Sequence, residues 1–174
     1  ALNSIRALVD EEPSKSKKAI NHLSNILRTS LVLDKKRLTS LKEELNTTKD
    51  YLALESIRFE ERLSTDFKID PKAEAVKVPP MMIQTLVENG IKHGISKLKE
   101  GGSVSVSAQV KNSIMVLEIR NTGRYIEKKT KGTGQGLRNT RQRLELIYGN
   151  RAHLDIINET DNTVFEISCI LYCL

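Results

Sequence analysis

Residues 86–95, LVENGIKHGI, put an acid, an amide, a lysine and a histidine within six positions of an otherwise apolar run. On a helical wheel of about 100° per residue, Ile83, Leu86, Val87, Gly90 and Ile91 share one arc, whereas Thr85, Asn89, Lys92, His93 and Ser96 gather on the other. A solvated stripe is usually rich in Lys and Glu. This one offers neutral or weakly basic groups able to coordinate or hydrogen-bond. An Asn89 amide oxygen is a hard ligand suited to Mg2+, and Lys92, one turn away, supplies a point charge for phosphate oxygens.

A second chemical element starts at Asn121: NTGRYIEKKTKGTGQGLRNTRQRL. Gly132, Gly134 and Gly136 free three backbone sites to approach a ligand closely, and a helix starting near Gly136 aims its unpaired N–H groups at the same place. Anions suit that place. The spacing is not a P-loop, because no Lys-Ser or Lys-Thr follows the glycines, and it is not a dinucleotide fingerprint, because the third glycine spacing is absent. The polar helix, the basic loop and the glycine cluster together point to a nucleoside triphosphate with Mg2+.

The charge distribution agrees. Residues 121–151 hold eight cations against two acids, which leaves 20 of each elsewhere and places the whole net charge of +6 in one segment. Such a zone suits nucleic acid, a membrane surface or a phosphorylated small molecule. With only seven Phe and Tyr residues, no Trp and no recognised reader motif, nucleic acid is not expected as a partner. No apolar run of about 18 residues marks a transmembrane helix, so the chain reads as soluble. Cys169 and Cys173, four apart in a predicted strand, lie about 13 Å apart along it and read as free thiols of a reducing cytoplasm.

The elements that must position these groups follow from periodicity. A helix is expected over residues 15–33, with Ile20, Leu23, Leu27 and Leu31 on one stripe and Pro13 upstream. A second carries Leu38, Leu41, Leu45, Thr48, Leu52, Glu55 and Phe59 in a heptad seam. Two helices alone bury little, so the seam predicts a homodimer that completes a four-helix bundle. After residue 63 the period becomes alternating. The expected order is β-α-β-β-loop-α-β-β, with helices over 81–95 and 136–148, a hairpin turning at KNS, and two last strands around ETDN.

The sequence also resembles a known family. PPMMIQTLVENGIKHGI is similar to the N-box of the GHKL ATP-binding fold, in the variant of LytS/YehU-type sensor histidine kinases; NTG with GTGQGLRNTRQRLELIYG resembles their glycine boxes. LTSLKEELNTTKDYLALESIRFEERL is similar to the second helix of their dimerisation domain, and ALNSI to the residues after their phosphoacceptor motif. The resemblance implies an α+β chain: a helical hairpin for dimerisation and phosphotransfer over 1–62, then over 63–174 a two-layer α/β sandwich with a mixed, mainly antiparallel sheet. It implies a protein-histidine kinase that binds ATP and Mg2+ and relays phosphate to the receiver domain of a response regulator. It also implies a cytoplasmic fragment of a parent anchored in the bacterial inner membrane.

Carried over by position, Asn89 would hold Mg2+, with Lys92 and His93 beside the phosphates. Glu88 either polarises the attacking group or is structural. Residues 124–135 would form the lid over ATP, Gly123 would admit the adenine, and Gly132, Gly134, Gly136 and Leu137 would border the triphosphate. The family has Asp-x-Gly where this chain has Asn121-Thr122-Gly123. An Asn121 oxygen can still accept from the adenine amino group, without charge assistance. The family's acceptor histidine is followed by phenylalanine, and no such pair occurs here. The fragment is therefore not expected to autophosphorylate; an alternative reading is a degenerate kinase serving as a dimeric signalling module.

Overall fold

Three helices open the chain in the computed structural model, which describes residues 2–33, 36–124, 135–159 and 164–172. Helix α1 (Leu2–Glu11) and helix α2 (Pro13–Leu33) are separated by one residue, and helix α3 (Leu41–Phe59) follows a two-residue strand, β1 (Thr39–Ser40). Pro13 opens α2, where a missing N–H leaves no bond unmade. α1 is an element not anticipated above, although Leu2, Ile5, Leu8 and Val9 recur at helical spacing; of these the fold buries Ile5. α3 announces its own start: Ser40 Oγ accepts the Glu43 N–H at 3.2 Å while the Glu43 carboxylate accepts the Ser40 N–H at 3.1 Å, a reciprocal capping box.

The remaining elements are β2 (Leu63–Ile69), β3 (Lys77–Val78), α4 (Met82–His93), β4 (Gly102–Lys111), β5 (Ile114–Thr122), α5 (Gln135–Tyr148), β6 (Ala152–Asn158) and β7 (Val164–Tyr172). Five strands form one sheet in the order β2-β4-β5-β7-β6, with β2 parallel to β4 and the other pairs antiparallel. The mixed, mainly antiparallel sheet is as expected. β1 and β3 form a separate short pair. The β4–β5 hairpin turns on Asn112 and Ser113, both at positive φ (51° and 58°), which matches the right-handed twist of the strands. Cys169 lies on β7; Cys173 and the ETDN turn residues 160–162 lie outside the described residues.

One face of the sheet is dry. Val104, Val106 and Ala108 of β4 and Met115, Leu117 and Ile119 of β5 are buried against Ile83, Leu86, Val87 and Ile91 of α4, with Leu137 and Leu144 of α5 in the same core. That core continues into α3 through Leu41, Leu45, Leu52 and Phe59.

This packing corrects the role assigned to the heptad seam. Leu41, Leu45, Thr48, Leu52, Glu55 and Phe59 are all buried inside the single chain, and Leu38 precedes the helix. A stripe of that width fits a helix laid on a sheet layer as well as it fits a second copy. The side left uncovered belongs to α2, where Ile20, Leu27 and Leu31 are 48%, 57% and 74% exposed. Between α2 and α3, Ala19, Leu23 and Ile26 pack with Leu54, Ile57 and Ile5 in a small second core.

Candidate functional site

Asn121 is the last inward-facing residue of β5 and is 1% exposed. Its Nδ2 donates to the carbonyls of Thr122 (3.0 Å) and Gly90 (3.4 Å), whereas its Oδ1 is buried with no hydrogen-bond partner. A Cβ on Gly90 would sit 2.4 Å from that oxygen, so glycine in mid-helix is what lets the amide lie under α4. Sequence reasoning placed Gly90 on the apolar arc and missed this contact.

The end of β5 then meets the end of α4. Gly123 has φ of 116°, and a Cβ there would lie 2.6 Å from the Cα of Gly94. A Cβ on Gly94 would in turn lie 2.6 Å from the Thr122 carbonyl oxygen. Two glycines face each other because neither position has room for a side chain; Gly94 was also missed, although NGIKHG spaces it one turn from Gly90.

The third wall is the start of α5. A Cβ on Gly136 would come within 2.9 Å of Thr85 Cγ2 and 3.2 Å of Asn89 Nδ2, so α5 begins directly against the polar face of α4. On that face Asn89 Nδ2 donates to the Thr85 carbonyl at 2.7 Å, which ties the amide nitrogen to its own helix. Lys92 is exposed and His93 half-buried in the last turn of the same helix. Leu137 is a core residue at 6% exposure, leaving only its backbone for a ligand. Gly132 and Gly134 lie outside the described residues, as do positions 125–134 of the expected lid.

Glu88 is exposed and turned toward α3. Its charge acts on Tyr51, whose hydroxyl is pushed up chiefly by burial and then by Glu55, and on Glu55, raised by burial against the opposing pull of Arg58. Glu55 Oε2 lies 2.8 Å from Arg58 Nη2 without hydrogen-bonding geometry. The structure thus separates two faces of one helix: Asn89 toward α5, Glu88 toward the helical hairpin.

The basic zone divides in the same way. Arg143 donates to the Pro80 carbonyl at 3.1 Å and Arg141 to the Leu154 carbonyl at 3.1 Å, so these two brace α5. Arg124 is exposed at the rim. Among the described residues no three His, Cys, Asp or Glu side chains cluster as a metal cage, and no helix is long and apolar enough to cross a membrane.

A buried acceptor without a partner, a cradle kept open by glycines and a helix N-terminus facing an amide form a set that offers an acceptor to a hydrogen-bond donor and backbone amides to an anion. Comparison with known proteins agrees on the family. Residues 1–63 match the family model described as Histidine kinase. The sensor protein LytS of Staphylococcus saprophyticus is 32% identical over 98% of this chain and 31% of its own length. Among solved structures, the histidine kinase domain of the Erythrobacter litoralis EL346 blue-light activated histidine kinase superposes with a TM-score of 0.57 at 15% identity, covering 96% of this chain and 83% of that one. Histidine kinase ThkA in complex with response regulator protein TrrA gives 0.51 at 18% identity, over 88% of this chain and 48% of that one. The chain spans about a third of the length of the LytS protein it matches. With the sequence match running through nearly the whole chain and the fold agreeing, this chain belongs to the sensor histidine kinase family, on its LytS-like side.

Proposed function

We propose that this region binds ATP with Mg2+ between α4, the end of β5 and the start of α5, and transfers the γ-phosphoryl group to a histidine for relay to a response regulator. The observation that carries the reading is Asn121: a buried amide oxygen with no partner is an acceptor waiting for a donor, and the adenine amino group is one. In this reading the Asn89 oxygen holds Mg2+, which neutralises phosphate charge, while Lys92 and His93 lie along the phosphates and Gly136 lets α5 present its N–H groups. Glu88 faces the side from which an acceptor on the helical part would arrive. The helical residues 1–62 serve assembly, residues 63–174 hold the nucleotide, and the acceptor histidine comes from another segment, so residues 1–174 do not label themselves. The whole protein is anchored in the bacterial inner membrane with this region in the cytoplasm.

Calorimetric titration with a non-hydrolysable ATP analogue, with and without Mg2+, tests the site. Asn89→Ala should abolish most of the Mg2+-dependent affinity. Asn121→Ala should weaken the adenine nucleotide by about 5- to 150-fold, as expected for an unpaired buried donor, and weaken an inosine nucleotide much less. Equal losses for both nucleotides would remove Asn121 from base recognition. No binding by the wild type would favour the second reading, a signalling module without phosphoryl transfer, for which the Asn in place of the family's Asp speaks.

The homodimer belongs to this proposal with its surface moved to α2. Ile20, Leu27 and Leu31 form the uncovered stripe, and a second copy would bury it. Sedimentation at high micromolar concentration should show a dimer that Leu27→Glu converts to monomer. A wild type that stays monomeric at that concentration would rule the surface out.

A further inference from the structure

Helix α4 carries the nucleotide-site residues, yet it does not cap itself. Its N-cap position is Met81 in the left-handed conformation (φ 61°, ψ 14°), with no capping bond from its own side chain. The first-turn amides are met instead from another helix. Glu44 of α3, 1% exposed, accepts the Met81 N–H at 2.6 Å through Oε1 and the Ile83 N–H at 3.1 Å through Oε2. α2 reaches the same spot, with Ser30 Oγ 3.9 Å from Met81 Sδ, and α5 reaches it through the Arg143 bond to the Pro80 carbonyl. Three elements therefore converge on the start of the helix that bears Asn89 and Lys92.

We infer that Glu44 is a positioning residue for the nucleotide site: as the borrowed cap of α4 it couples the placement of α3, and so of the helical hairpin, to the alignment of Asn89 with bound ATP. The inference rests on the ATP reading above. A helix whose first turn is held by a neighbour shifts when that neighbour shifts, because its orphan amides must follow the acceptor or lose it.

The carboxyl is also poised to respond to pH. Burial pushes it up to about 7, against the pull of the three amides of Met81, Ile83 and Met82 and the Arg143 guanidinium, the charged group that faces it. Since a solvated carboxyl titrates lower, docking of α3 on α4 favours the neutral form, and the junction weakens as pH rises through 7.

ATP affinity measured from pH 6 to 8.5 on the wild type, Glu44→Gln and Glu44→Ala, with amide exchange of residues 81–83, tests the coupling. Titration of every other group is common to both proteins, so the difference between wild type and Glu44→Gln is the quantity to read. The wild type should lose about fivefold more affinity than Glu44→Gln over that range. Glu44→Ala should bind about tenfold more weakly than Glu44→Gln at pH 6, with faster exchange at 81–83, since the amide oxygen of Gln still accepts and Ala cannot. If Glu44→Ala does not fold, the wild-type and Gln profiles still decide. Superimposable profiles, or an Ala variant with normal affinity, would overturn the coupling and leave the ATP site standing; a wild type that binds no ATP would overturn both.

Discussion

The starts of α3 and α4 lie against each other and find their side-chain caps in different places. α3 takes its side-chain cap from its own neighbourhood, where Ser40 and Glu43 exchange side-chain and backbone bonds three positions apart, while its Leu41 and Lys42 N–H groups donate to the backbone carbonyls of Val76 (2.8 Å) and Glu74 (3.0 Å). α4 has Pro80 and Met81 before it, neither with a side-chain oxygen to cap the helix, and takes a carboxylate from 37 residues upstream. The Ser40–Glu43 exchange needs no residue from another element. The Glu44 bonds exist only while α3 is docked, and they hold the start of the helix that bears the proposed site residues Asn89 and Lys92. A helix meant only to be stable is well served by a local cap, whereas a helix whose position carries information gains from a cap that another element can withdraw.

The comparison would break if the borrowed cap mattered no more than the local one. Glu44→Ala, unfolded with urea at pH 5.5 where the wild-type carboxyl is largely neutral, should cost about 2 kcal/mol, because two buried N–H groups lose their acceptor. Ser40→Ala should cost about 1 kcal/mol under the same conditions, the ordinary value of an N-cap whose amides can turn to water. A Ser40→Ala loss equal to or above that of Glu44→Ala would contradict the asymmetry.

A smaller effect sharpens it. Glu43 and Glu44 are sequence neighbours with opposite shifts. The Thr39 hydroxyl, and then the Ser40 amide, hold Glu43 down at about 2, while burial pushes Glu44 up to about 7. For Glu43 the folded value lies below the unfolded one, so its stabilisation is present above about pH 4.5 and is lost as pH falls toward 2. For Glu44 the folded value lies above, so its contribution is full below about pH 4.5 and is lost as pH rises through 7. The Glu43 side chain is 49% exposed, and solvent screening makes its share the smaller. Urea midpoints followed from pH 2 to 9 should show Glu43→Gln flattening the acid limb and Glu44→Gln the limb through neutrality. A single variant flattening both limbs would show that the two carboxyls are not distinguished by their surroundings.

The sequence by itself determined the elements whose signals are short-range. The 3.6-residue apolar stripe of α4, the alternation of β4 and β5 and the polar arc of Thr85, Asn89, Lys92 and His93 depend on residues a few positions apart, and each was legible. Pro13, read as a break upstream of a helix over 15–33, proved to be its first residue. α1 was written there too, in Leu2, Ile5, Leu8 and Val9 at helical spacing, but the stripe is short and was missed. The destination of the α3 seam was not legible: a heptad stripe states that a face will be covered and says nothing about by what, and the covering layer proved to be α4 and the sheet. The same limit hid Gly90 and Gly94, whose missing side chains matter only because Asn121, Thr122 and Gly123 arrive there from β5. It hid Glu44 most completely. In sequence it is one acid among several in a charged helix; only the fold decided that its carboxyl is dry and that the start of α4 lies within 3.1 Å of it, since burial and hydrogen-bond reach are properties of what tertiary packing brings alongside.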